Sequence, residues 1–202
     1  KKVSRELGFT HLDTGAMYRC VTLSVLRNQI TLDNENALSQ LLNELDIRLE
    51  KLDDELVVYL NGEDVSDEIR KAEVTSYVST VSALSQVRNA LVRIQRNIAK
   101  NQDCVVEGRD IGTIVFPDAE FKFFLVADDF VRAQRRQLDL IAIGEEKSIA
   151  VLVEEIRQRD FLDSERSNSP LRKADDAIEI DTSKMTFNEQ VAFMVNKVKN
   201  DS

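Results

Sequence analysis

The chain has 202 residues, 43% hydrophobic and 31% charged, with six glycines and two prolines. That profile excludes a collagenous, loop-dominated or disordered chain and suits one core domain with a small insert. A net charge of −9 argues against a nucleic-acid coat, yet it leaves room for a small phosphorylated ligand held by a local arginine cluster.

In chain order, residues 1 to 7 read as the end of a helix closed by Gly8. FTHL (9–12) is a short strand, and Asp13-Thr14-Gly15 is a turn placed to cap a helix through Met17, Val21 and Leu26. ENALSQLLNEL (35–45) is an amphipathic helix. DIRLEK (46–51) and ELVVYLNGEDV (55–65) alternate, with Asn61-Gly62 as a hairpin signal, so residues 46–72 read as a small antiparallel insert. Helices follow near 73–82 and 84–100. DCVVE (103–107), FKFFLV (121–126) and AIEID (177–181) are strands, with helices at 129–142, 148–163 and 187–199. The first two of these strands are apolar runs, which suits strands covered on both faces. Strands alternating with helices predict a parallel α/β sheet. No apolar stretch approaches the roughly 18 residues of a membrane span, so no membrane partner is expected.

Two cysteines, Cys20 and Cys104, sit in apolar runs and read as buried reduced thiols rather than metal ligands. The single histidine, His11, reads as a strand residue. No metal site is expected in the protein itself, and the thiols fit a cytoplasmic setting.

In open parallel sheets, ligands bind beyond the carboxyl ends of the strands. Two strand ends carry turn or charged residues: Leu12 runs into DTGAMYR, and Val106 into EGRDIGT. If both strands share a sheet, Arg19 and Arg109 lie on one rim. Arg159, Asp163 and Arg166 are spaced four and three apart, which puts them on one helix face if the helix continues that far. Alone, that spacing also fits a solvated face of ion pairs. Taken with Arg19 and Arg109 it favours a phosphate site, because guanidinium forks bind phosphate oxygens in pairs.

LDTGAMYR (12–19), NGEDVSDEIR (61–70), EGRDIGTIVFPDA (107–119), RAQRR (132–136), RDFLDSERSNSPL (159–171) and DAIEIDTS (176–183) together resemble the bacterial cytidylate kinase family, in collinear order over the whole chain. The resemblance implies an α/β fold: a P-loop nucleotide kinase core with a five-stranded parallel sheet, a small antiparallel monophosphate-binding insert and a helical lid. The core then takes residues 1–45 and 73–202, the lid about 130–167, and the insert 46–72. The implied reaction moves a phosphoryl group from ATP, with Mg²⁺, onto CMP or dCMP. The implied partners are those nucleotides, the setting cytoplasmic and the state monomeric.

By the same resemblance, Arg19, Arg109 and Arg166 hold the acceptor phosphate and carry the catalytic role. Ser79, Arg88 and Asp110 face the base, where a carboxylate accepts from the cytosine amine and a guanidinium donates to N3 or O2. Arg159 and Asp163 meet the ribose hydroxyls, and Thr14 supplies a hydroxyl that some members provide as Ser. Glu107 stands where the family often has Asp. Arg132, Arg136 and Arg157 are candidates for a lid that swings over ATP.

One departure stands out. The family begins with a strand and a Walker A loop, whereas KKVSRELG resembles the helix just after that loop. None of the glycines fits G-x-x-x-x-G-K-[ST]. A further strand and P-loop, roughly two dozen residues, are therefore expected upstream of Lys1. Two other readings stay open: a kinase preferring UMP, and a non-catalytic CMP-binding module without a P-loop.

Overall fold

The computed structural model describes residues 1–52, 55–142 and 144–201, which form two units. One spans Thr10–Gly108; the other joins Lys1–Phe9 to Arg109–Ser202.

In the first unit, β1 (Thr10–Asp13) pairs in parallel with β5 (Cys104–Glu107), and Asp13 stands level with Glu107. The two strand ends therefore share a rim, as the sequence predicts. Asp13 doubles as the N-cap of α2 (Thr14–Arg27), its carboxylate accepting from the Ala16 amide at 3.0 Å. Helix α2 is the spine of this unit. Its Met17, Cys20, Val21 and Val25 are sealed against side chains from α3 (Glu35–Glu44), α4 (Ala72–Ser82) and α5 (Ser85–Ala99).

An antiparallel sheet of β2 (Ile47–Leu52), β3 (Glu55–Leu60) and β4 (Glu63–Asp64) interrupts the helices. Asn61 and Gly62 make the β3–β4 turn with φ of 51° and 86°, the left-handed pair that a two-residue hairpin loop requires. Val58, Leu60, Val65 and Ile69 carry the apolar side of this sheet and the following 3₁₀ turn (Glu68–Arg70) into the same core. Residues 53 and 54, inside the expected insert, lie outside the described residues, as does residue 143 within the expected lid.

In the second unit, β6 (Phe123–Val126) pairs in parallel with β7 (Ile178–Asp181). Helix α1 (Lys2–Leu7) packs on α8 (Phe187–Asp201) and ends at Gly8, whose φ of 73° closes it. Helices α6 (Asp129–Ala142) and α7 (Ile149–Ser164) form a hairpin around Ala133, Leu140 and Leu152. Arg135 of α6 donates to the Thr182 hydroxyl and carbonyl, tying the hairpin to the end of β7.

The described parallel strands form two pairs, each strand having one hydrogen-bonded neighbour, in keeping with the expected α/β fold whose further strand is placed upstream of Lys1. One expectation is corrected. Strands β5 and β6 are not sealed on both faces: Val105, Val106, Phe123 and Phe124 are half-buried, and Leu125 is exposed. An apolar run alone does not establish that helices cover both faces of a strand.

Candidate functional site

The carboxyl ends of β1 and β5 are stitched together by side chains. Thr14 Oγ1 donates to the Glu107 carbonyl at 2.7 Å, and His11 Nε2 lies 3.0 Å from Glu107 Oε1. His11 is thus a strand residue, and the longer Glu107 side chain reaches it. One turn into α2, the Arg19 guanidinium donates to the Ile69 carbonyl at 3.2 Å and to Thr75 Oγ1 at 2.7 Å.

Arg88, at the start of α5, is buried. Its guanidinium donates to the Ser82 carbonyl at 3.1 Å and stacks 5.3 Å from the centre of the Tyr18 ring. A buried guanidinium on a carbonyl and an aromatic face is held in one orientation, which suits reading a flat base edge. Ser79 is half-buried on α4.

The second unit contains a denser cluster. Asp163, buried at the end of α7, is ringed by three arginines. Arg109 Nε lies 3.0 Å from its Oδ2, Arg166 3.2 Å from its Oδ1, and Arg159 4.0 Å from its Oδ2. Helix α7 stops at Ser164, so Arg166 does not share its face, contrary to the simple spacing argument. It reaches Asp163 through the turn instead, its Nε also donating to the Asp163 carbonyl at 3.3 Å. Three guanidiniums around one carboxylate leave two positive charges in excess, the complement of a phosphate dianion. Arg159 is held below the ordinary arginine value, first by the protein crowded around it, then by repulsion from Arg109, with Arg136 adding to the effect. Its side chain is still 46% exposed, so crowding rather than sequestration is the cause.

Asp110 is buried beside this cluster in sequence. Its carbonyl accepts from the Ile114 amide at 2.9 Å and from the Val115 amide at 3.3 Å, the second bond opening a single π turn over Ile111–Val115. Beneath that turn, Lys122 is buried, donating to the Pro117 carbonyl and to Asp176 at 2.5 Å.

The expected lid arginines are engaged across the α6–α7 hairpin. Arg132 forks onto Asp160, and Arg157 meets Asp129 at 2.8 Å. Arg136 is close enough to Arg159 to repel it. Of the expected site residues, then, Thr14, Arg19, Ser79 and Arg88 fall in the 10–108 unit. Arg109, Asp110, Arg159, Asp163, Arg166 and the three lid candidates fall in the other.

Sequence reasoning missed Tyr18, Thr75 and Lys122. Only Tyr18 had a signal, its place within LDTGAMYR; the other two act on partners far along the chain. The thiols also need correction, because Cys20 is buried but Cys104 is half-buried. Burial, then the charge of Asp13, pushes Cys20 up to about 12, and burial raises Cys104 too, so neither is a thiolate nucleophile near neutrality. Among the described residues no cluster of three or more His, Cys, Asp or Glu side chains is arranged for a metal ion. None of their helices is long and apolar enough to cross a membrane.

Parallel strand pairs with helices between them define an α/β protein, and the arginines gathered on Asp163 suit an anionic ligand. A model of the cytidylate kinase family matches residues 1–200. The chain is 44% identical over 199 residues to the cytidylate kinase of Halalkalibacterium halodurans, covering 98% of this chain and 90% of that one. It is 45% identical over 202 residues to that of Pediococcus pentosaceus, covering 100% and 89%. It is 46% identical over 202 residues to that of Caldanaerobacter subterraneus subsp. tengcongensis, covering 100% and 88%. The chain belongs to the cytidylate kinase family, and so to the nucleoside monophosphate kinases.

Proposed function

We propose that the protein transfers the terminal phosphoryl group of ATP to CMP or dCMP, and that its arginine cluster serves the acceptor nucleotide. Family membership supports the reaction. The observation that supports the site is the ring of Arg109, Arg159 and Arg166 on buried Asp163.

In this reading Arg19, Arg109 and Arg166 hold the acceptor phosphate. Asp110 accepts from the cytosine amine, Arg88 donates to N3 or O2, and Ser79 adds a hydroxyl at the base. Arg159 and Asp163 meet the ribose, and Thr14 supplies a hydroxyl to the acceptor nucleotide. Phosphoryl transfer asks the protein mainly for positioning and for offsetting negative charge, so no general base is assigned. Asp163 serves that need by holding its arginines in place before substrate arrives, which lowers the cost of ordering them. Mg²⁺ is taken to arrive with ATP as part of the substrate. The finer assignments belong to the same proposal: residues 46–72 as the monophosphate-binding insert, the rest as core, and a lid within about 130–167. Arg132, Arg136 and Arg157 are the lid residues assigned to ATP; the first and last must leave Asp160 and Asp129 to reach it. A monomeric protein without nucleic-acid partners and a cytoplasmic setting complete the reading, the setting alone supported by the two free thiols.

The test is ADP release from Mg²⁺ and ATP by the full-length natural protein, with CMP, dCMP, UMP and AMP offered separately. Turnover with the cytidine nucleotides well above the others is expected. Preference for UMP would overturn the base assignment. Binding of CMP without turnover would reduce the protein to a binding module.

A further inference from the structure

Helix α2 carries two arginines eight residues apart, roughly 12 Å along its axis. Both reach into the segment from β4 to the start of α4. Arg27 forms a double fork: Nη1 and Nη2 meet Glu63 at 2.7 and 2.9 Å, while Nε and Nη2 meet Glu68 at 3.2 and 2.5 Å. Arg19, at the other point, donates to the carbonyl of Ile69 and the hydroxyl of Thr75.

Glu68 and Ile69 are neighbours in one 3₁₀ turn. The carboxylate gripped by Arg27 and the carbonyl that aims Arg19 therefore move as one rigid piece. Glu63, on β4, ties the sheet into the same grip. Both partners respond electrically: Arg27 is raised above its ordinary value, first by its hydrogen bonds to Glu63, and Glu63 is lowered by the same bonds. Half-exposed ion pairs add little to global stability. Fork-on-fork geometry instead fixes direction, because two parallel hydrogen bonds remove the freedom of a single contact.

We propose that Arg27 is a positioning residue for the acceptor nucleotide: through Glu63 and Glu68 it seats the β4–3₁₀ segment so that Ile69 and Thr75 hold the Arg19 guanidinium in its working orientation. This rests on the assignment of Arg19 to the acceptor phosphate. Arg27 touches no substrate in this scheme. Its effect appears in the binding of CMP and not in that of ATP.

The test compares Arg27→Met, Arg27→Lys, Glu63→Gln/Glu68→Gln, Arg19→Ala and the Arg19→Ala/Arg27→Met double variant. The readouts are CMP affinity by calorimetry, KM for CMP and for ATP, and thermal midpoint. Arg27→Met is expected to weaken CMP on the order of tenfold, as misplacement of a binding group does. KM for ATP should stay within about twofold and the midpoint near wild type. The paired Gln variant should match it, and Lys, one point charge in place of a fork, should recover part of the loss. The double variant should be no worse than Arg19→Ala. Unchanged CMP affinity in Arg27→Met, with Arg19→Ala impaired, overturns the inference alone. Equal rises in both KM values with a fallen midpoint also overturn it, because the role is then merely structural. Unchanged CMP affinity in Arg19→Ala overturns the phosphate assignment and the inference with it.

Discussion

Under the proposed assignment Arg109 has two jobs, one in folding and one at the acceptor phosphate. Its guanidinium meets Asp163 at 3.0 Å, yet the side chain is 42% exposed, so the pair contributes at most about 1 kcal/mol to folding. A hydrogen bond from the same group to a phosphate oxygen is charge-assisted at both ends, worth about 1.5–3 kcal/mol. Replacing Arg109 by Ala is therefore expected to shift the urea midpoint slightly while weakening CMP by roughly ten- to a hundredfold. Cytidine, which lacks the phosphate, should bind nearly as before. Calorimetry with both ligands makes the comparison, and parallel losses for CMP and cytidine would remove Arg109 from the phosphate.

At the scale of an element, the π turn over Ile111–Val115 is shaped by what lies under it. A Cβ on Gly112 would stand 3.2 Å from Lys122 Cδ, 3.5 Å from its Cγ and 3.6 Å from Ala174 Cβ. A flexible lysine ordinarily swings aside, but this one is pinned at its amine by Pro117 and Asp176. Gly112→Ala is expected to destabilise by about 1–3 kcal/mol as an overpacking change. Lys122→Met frees the tail of the side chain but leaves the Pro117 carbonyl without its donor, which costs a similar amount. The double variant should lose less than the two single losses added together, because Lys122→Met relieves the crowding that Gly112→Ala creates. Strict additivity in urea melts would mean that Lys122 does not confine Gly112. None of this was legible in the sequence, since Lys122 and Asp176 stand far apart in the chain and no local pattern pairs them. The same holds for Arg19 with Thr75 and for Arg27 with Glu63. What was legible is what the backbone dictates locally: the helix at 129–142 from its periodicity, the hairpin from Asn61-Gly62, the helix stop at Gly8. The spacing of Arg159, Asp163 and Arg166 was informative, but for the wrong reason, because a turn and not a helix face delivers the last arginine.

For the whole molecule, pH acts through groups spread over both units. Glu63 is held below the ordinary carboxylate value by Arg27, Asp64 by Ser66, Asp176 by Lys122, Asp181 by Ser183 and Glu189 by Thr186. Each is more acidic folded than unfolded, so the stability it contributes is present above the ordinary values of 3.8 for Asp and 4.5 for Glu. That contribution is lost as pH falls through the depressed values. On the alkaline side Cys20 works in the opposite sense. Folded, it keeps its proton up to about 12; unfolded, it releases it near 9.0, so stability falls as pH rises across that window. The slope from this one thiol approaches 1.4 kcal/mol per pH unit. Urea midpoints measured from pH 3 to pH 11 should therefore trace a plateau with two falling limbs. Cys20→Ala should flatten the alkaline limb and leave the acid limb unchanged, whatever it does to the plateau height. Glu63→Gln should do the reverse, shrinking the acid limb only. An alkaline limb equally steep in Cys20→Ala would mean that the buried thiol does not titrate with unfolding. A midpoint at pH 3 equal to that at pH 7 would mean the same of the carboxylates.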